Sequence, residues 1–183
     1  MKVVVGITGA SGAIYGYRLL EELSKAGCEV SIILSDMGKQ ILRTECRKNE
    51  GDLQALGTLF SNDDLTAPIA SGSQLFDAAV ISPCSMKTLA SIANGITSNL
   101  LTRVADVALK ERRKLILVTR ETPLSLIHIR NMLRVTRAGA VVMPASPGFY
   151  HDPKSLGDLV DHIVGKVLDQ LGIKNELYRR WGS

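Results

Sequence analysis

The sequence predicts an α/β domain, a parallel β-sheet with helices on both faces. Two observations carry this. Short apolar runs rich in β-branched residues alternate with longer stretches of helical period along the 183 residues. The runs themselves hardly alternate between polar and apolar, as expected of strands covered on both faces.

The elements follow in order. The first run, "KVVVGI" at 2–7, leads through a glycine turn into a helical pattern at 13–26. A second run, "EVSIIL" at 29–34, precedes a weaker helix at 38–44. Residues 49–74 break the alternation and read as a long functional or interface loop. A third run at 78–82, ended by Pro83, enters one helical pattern at about 86–112. The run "LILVT" at 115–119 leads to a helix at about 125–138, and "AVVM" at 140–143 to a helix at 155–171. In this last helix Leu156, Leu159, Val160, Ile163, Val164, Val167, Leu168 and Leu171 form an apolar face, and Asp158, Asp161, His162, Lys166 and Asp169 the polar one. No linker or repeat divides the chain, so residues 1–183 form one domain. The tail from about residue 174 carries the single tryptophan, Trp181, and is expected at an interface.

Composition excludes several classes. Aromatic residues are 4 % and the net charge is +4, with basic residues scattered, so neither the stripe nor the stacking platform of a nucleic-acid binder is present. No apolar run approaches the ~18–20 residues of a membrane span, and the first residues lack the pattern of a signal peptide, so a cytoplasmic protein is expected. Cys28, Cys46, Cys84, His128, His151 and His162 show no metal-ligand spacing, so neither a metal nor a disulfide framework is expected, and all six read as structural or surface residues.

Four loops at the carboxyl ends of the strands carry the candidate chemistry. "GITGASG" at 6–12 is neither GxGxxG nor a Walker loop. It offers amides and the hydroxyls of Thr8 and Ser11 at a helix N-terminus, either an anion site or a tight turn. "SPCSMKT" at 82–88 sets Ser85 and Thr88 at a second helix start. Lys87 there opposes the helix dipole unless an anion is bound, and Cys84 is either a thiol nucleophile or a small residue behind the loop. "RETPLS" at 120–125 and "PASPGFY" at 144–150 add a charge pair and two aromatics on the same edge. Together the four suggest one site for a sizeable phosphorylated ligand at the sheet's carboxyl edge.

The segments "GITGASGAIYGYRLLEEL", "PCSMKTLASIANGI", "NLLTRVADVALKERRKLILVTRETPLS", "GAVVMPASPGFYHDP" and "DLVDHIVGKVLDQLGI" resemble those of the UbiX-type flavin prenyltransferases, formerly described as phenylacrylic or polyprenyl-hydroxybenzoate decarboxylases. The resemblance runs over nearly the whole chain. It implies a Rossmann-like, flavoprotein-type fold. It also implies transfer of a dimethylallyl group from dimethylallyl monophosphate to N5 and C6 of reduced FMN, yielding prenylated FMN for a UbiD-type decarboxylase. By the same resemblance Gly9, Ala10, Ser11, Ser35, Ser85, Met86, Lys87, Thr88 and Arg120 bind FMN. Arg103, Tyr150 and Lys166 bind the donor phosphate, and Ser11, Glu45, Lys110 and Glu121 act in catalysis. The resemblance further implies a homo-oligomer, a dodecamer built from trimers, with sites at subunit interfaces. Two alternatives stand beside transfer: a direct flavin-dependent aromatic acid decarboxylase and a non-catalytic FMN carrier.

Overall fold

The computed structural model describes residues 1–182. Six strands form one parallel sheet: β1 (Lys2–Ile7), β2 (Glu29–Leu34), β3 (Thr58–Ser61), β4 (Ala78–Cys84), β5 (Lys114–Thr119) and β6 (Val141–Pro144). Their order is β3-β2-β1-β4-β5-β6, so the winding reverses between β1 and β4. Among the described residues six α-helices lie between the strands, α1 (Ala13–Lys25), α2 (Asp36–Cys46), α3 (Glu50–Gln54), α4 (Met86–Ala93), α5 (Leu100–Lys110) and α6 (Leu126–Ala138), and a seventh, α7 (Leu156–Leu171), follows β6.

Alternate strand residues feed two cores. Val3, Val5, Ile7, Ile32, Val80, Ile116 and Val118 pack against α1, α2 and α7, whereas Val4, Ile33, Ala79, Ile81, Leu115 and Leu117 pack against α4, α5 and α6. This is why the strands read as unbroken apolar runs. The α/β expectation is met as a doubly wound, three-layer, Rossmann-like domain.

Several boundaries differ from the sequence reading. The single helix expected at 86–112 is two. Gly95 takes φ 67°, a left-handed value that ends α4, and Asn99 restarts the chain as the N-cap of α5 in a reciprocal box with Thr102. The loop expected at 49–74 contains α3, the edge strand β3 and a 3₁₀ turn at Pro68–Ala70. β3 is only four residues long and half-buried, so its apolar signal is weak. Pro83 does not end β4: the strand continues to Cys84 across a register shift, and the Pro83 carbonyl accepts from Thr8. Leu156 is exposed although it lies on the apolar stripe of α7, at the first residue of the helix. No described helix is long and apolar enough to cross a membrane.

Candidate active site at the carboxyl edge

The loops after β1, β2, β4, β5 and β6 all emerge at one edge of the sheet, around the reversal point between β1 and β4. Serines cap α2, α4 and α6 there, whereas α1 starts from Gly12 with no side-chain cap. Ser35 Oγ accepts the Gly38 amide at 3.0 Å to start α2, and Ser85 Oγ accepts the Thr88 amide at 3.3 Å to start α4. The Ser85 hydroxyl also donates to Thr88 Oγ1 at 3.1 Å. Ser125 accepts from His128 to start α6. The positive ends of these helices therefore face the crevice where ligands bind in open α/β sheets.

The first two loops are joined by Thr8. Its hydroxyl donates to the Pro83 carbonyl at 2.7 Å and accepts the Ser85 amide at 2.8 Å. Thr8 is therefore a buried strut, and it does not offer the free hydroxyl that the sequence suggested for an anion. A Cβ on Gly9 would meet Met37 Cβ at 2.4 Å, so only glycine lets α2 close onto this loop.

Ser11, Glu45 and Arg120 come together although they lie far apart in sequence. Glu45 Oε2 accepts the amides of Gly12 at 2.8 Å and Ala13 at 3.1 Å, so an internal carboxylate occupies the start of α1. Arg120 Nε donates to the Ser11 carbonyl at 3.1 Å. Burial pulls the Glu45 carboxyl upward. The Ser11 hydroxyl, the two amides and the Arg120 charge outweigh it and hold the group below its ordinary value. Glu121 is exposed beside Arg120 and accepts the Thr122 amide at 3.1 Å. Thr119 Oγ1, just before this pair, is buried without a hydrogen-bond partner. A cavity of about 70 Å³ lies between Thr119, Arg120, Glu121, Met132 and Ser146.

Gly9, Ala10, Ser35, Ser85, Met86, Lys87 and Thr88 all sit on this edge. Met86 and Thr88 are buried and Lys87 is exposed. Cys84 is fully buried and its thiol is pushed up to about 12 by desolvation, so it is a packing residue and not a nucleophile.

Tyr150 follows β6, with its ring edge-on to His162 of α7 at 5.7 Å and to Trp181 of the tail at 5.5 Å. Lys166 is exposed one helical turn beyond His162. His162 itself is 7 % exposed, not on a solvated face as its place in the helical pattern suggested, because Tyr150, Tyr178 and His151 cover it. The described part of the tail folds back on α7. Asp169 accepts from Tyr178 Oη at 2.6 Å, Arg180 at 2.8 Å and Asn175 at 3.0 Å.

Two expected site residues lie apart from the rest within the protomer. Arg103, in the first turn of α5, donates to the Ala70 carbonyl at 3.0 Å and pairs with Asp106. Lys110 pairs with Glu111 at the far end of α5, four residues before β5 begins, at the amino edge of the sheet. Sequence reasoning missed the Thr8 strut, the Thr119 hydroxyl and the His162 contact. Only the spacing of His162 four residues before Lys166 could have signalled the last of these. Among the described residues no His, Cys, Asp and Glu cluster could hold a metal ion.

A doubly wound sheet with capped helix starts and an arginine at its reversal point defines an α/β protein built to hold a phosphorylated ligand. The Flavoprotein family profile matches residues 1–168. A Flavin prenyltransferase UbiX of Methanocaldococcus jannaschii is 52 % identical over 184 residues and covers 100 % of both chains. The UbiX crystal structure of AnUbiX (PadA1) in complex with FMN and dimethylallyl pyrophosphate has a TM-score of 0.97 at 43 % identity, covering 100 % of this chain and 97 % of that one. A dodecameric FMN-dependent UbiX-like decarboxylase from Escherichia coli O157:H7 has the same TM-score and identity and covers 100 % of both. The chain belongs to the Flavoprotein family, in its branch of UbiX flavin prenyltransferases.

Proposed function

We propose that this protein is a flavin prenyltransferase that moves a dimethylallyl group from dimethylallyl monophosphate to N5 and then C6 of reduced FMN. The product, prenylated FMN, serves a UbiD-type decarboxylase. The observation that carries this reading is the Ser11–Glu45–Arg120 cluster at the reversal point, in a chain alike over its full length to flavin prenyltransferases.

The residues fit a flavin mononucleotide. Ser35, Ser85 and Thr88 set helix starts and hydroxyls toward one phosphate, and Arg120 adds a fixed cation beside the Gly9–Ser11 backbone. Reduced flavin supplies the electron-rich nitrogen and carbon that accept the allyl group. The donor's allylic carbon–oxygen bond breaks with its electron pair leaving on phosphate. Tyr150 and Lys166 stabilise that leaving charge. Arg103 and Lys110 do so from a neighbouring protomer, since within one chain they lie away from Arg120. Glu121 is the base for the proton displaced at the flavin nitrogen, and Ser11 relays protons to Glu45. A cavity of about 70 Å³ is far below the roughly 300 Å³ of a small ligand pocket. That supports a site completed by other subunits, as does the dodecameric relative.

The test is anaerobic incubation with reduced FMN and dimethylallyl monophosphate, with mass analysis of the flavin. Gain of one five-carbon unit, with phosphate released, is the expected result. A parallel run with the pyrophosphate, the compound in the AnUbiX complex, decides the donor. Turnover of an aromatic acid without donor would favour direct decarboxylation, the activity in the name of the Escherichia coli relative. Flavin bound and returned unchanged would leave only a carrier.

A further inference from the structure

His162 lies outside the set of groups proposed above to touch flavin or donor, yet it is built into the wall behind one of them. The loop after β6 crosses α7 at Gly148, whose amide donates to His162 Nδ1 at 3.3 Å. A Cβ on Gly148 would meet the Tyr150 ring at 3.1 Å and His162 Cε1 at 3.5 Å, so the two rings close over a residue without a side chain. On the other side of the imidazole, Nε2 lies 3.4 Å from Tyr150 Oη. Tyr178 stands edge-on to His162 at 4.9 Å, and His151 stacks on it at 4.9 Å with 9° between the rings. The imidazole has little freedom to turn.

This packing fixes a tautomer. A ring nitrogen that accepts an amide hydrogen carries none itself, so in the neutral imidazole the proton sits on Nε2 and points at Tyr150 Oη. Burial, with His151 and Lys166 nearby, holds His162 below its ordinary value and so favours this neutral form. Tyr150 Oη then accepts from inside the protein, and its own proton is left for an acceptor outside. Tyr150 is 47 % exposed and lines an open surface cavity with Trp181.

We propose that His162 is a positioning residue for prenyl transfer: its Nε2–H holds the Tyr150 hydroxyl so that the phenol proton is given to the phosphate of the allylic donor. The proposal rests on the reading above that Tyr150 contacts that phosphate. The two are separable by experiment.

The experiment is single-turnover prenylation of reduced FMN at varied dimethylallyl monophosphate, with FMN affinity measured in parallel. The proteins are the parent, His162→Phe, His162→Gln, Tyr150→Phe and the double variant His162→Phe with Tyr150→Phe. Phenylalanine keeps the ring without the donor, and glutamine can set an amide N–H where Nε2–H stood. His162→Phe should raise the half-saturating donor concentration about threefold to tenfold, the scale of one neutral hydrogen bond. FMN affinity should not change. His162→Gln should recover most of the loss, and the double variant should be no worse than Tyr150→Phe alone.

If His162→Phe costs as much without the Tyr150 hydroxyl as with it, or if glutamine does no better than phenylalanine, the proposal is overturned. If Tyr150→Phe weakens donor use and His162→Phe does not, donor contact at Tyr150 stands and the role of His162 falls. If Tyr150→Phe has no effect on donor use, the fault lies in placing the donor phosphate there, and the proposal falls with it. Should His162→Phe not fold, His162→Leu supplies the apolar arm of the same comparison.

Discussion

Thr8 shows how a single side chain decides whether the site exists. Its hydroxyl serves the Pro83 carbonyl and the Ser85 amide at once, so it fixes the glycine loop against the start of α4. Thr8→Val keeps the shape and removes both bonds. We expect a loss of about 1–3 kcal/mol in denaturant unfolding, because the Ser85 amide loses its partner while the Pro83 carbonyl keeps only the Thr8 amide at 3.2 Å, together with weaker FMN binding. Unchanged stability would mean that water replaces the hydroxyl. Asp169 gives a prediction in pH. Arg180, Tyr178 and Asn175 hold its carboxyl down at about 2, against partial burial that pulls it up. A depressed carboxylate stabilises the fold above its unfolded value and loses that contribution as pH falls through the folded one. The gain is therefore complete above about pH 4 and lost between about pH 4 and 2, with an upper bound of about 2 kcal/mol. Arg180 is half-exposed, so screening reduces this. Asp169→Asn should flatten the acid limb of urea stability and, by releasing Tyr178 and Arg180, shift the fluorescence of Trp181. An acid limb identical to the parent's would remove Asp169 from the account.

At the level of elements, helix starts carry the chemistry and are the most legible feature of the sequence. Ser85, Ser125 and Ser155 stand where the caps of α4, α6 and α7 are found, because a side-chain oxygen ahead of a helical pattern is a local signal. The break between α4 and α5 was not read. Its apolar residues keep a helical period across the gap, and only Gly95 and Asn99 mark the interruption. Asn99→Ala should cost about 1 kcal/mol, the usual value of an N-cap, visible in thermal unfolding. It should also weaken donor use through Arg103, which rides in the first turn of α5; normal donor use in that variant would detach Arg103 from the site. Gly16 is a stricter case. A Cβ there would meet the Ser82 carbonyl at 2.1 Å, so Gly16→Ala must push α1 off the end of β4. Loss of FMN binding beyond the loss of stability is the expected outcome, read by flavin titration of the folded fraction.

At the scale of the molecule, one chain leaves a large apolar surface uncovered. Leu126 is 61 % and Ile127 68 % exposed at the start of α6, with Leu124, Ile129 and Leu133 beside them. Monomers rarely expose this many large apolar side chains in one short segment, and the segment directly follows the Arg120 loop. Burying it between subunits is consistent with sites shared by protomers. Ile127→Glu should break the assembly in light scattering and abolish transfer, while far-ultraviolet dichroism stays that of the parent. An assembly of parent size would place the subunit contact elsewhere.

The sequence by itself determined the layer architecture, the sheet's carboxyl edge as the place of chemistry, and the serines that cap α4, α6 and α7. These rest on periodicity and on contacts within a few residues, which a linear chain displays directly. Motif resemblance extended this to Arg120, Glu45 and Tyr150, without saying what each one touches. Only the tertiary structure decided that Glu45 closes on the amides of Gly12 and Ala13, that Thr8 is a strut and that His162 is buried behind Tyr150. It also set Lys110 at the opposite edge of the same protomer. Each of these depends on groups brought together by the crossovers of the sheet from distant parts of the chain, and no local pattern in the sequence encodes such a meeting.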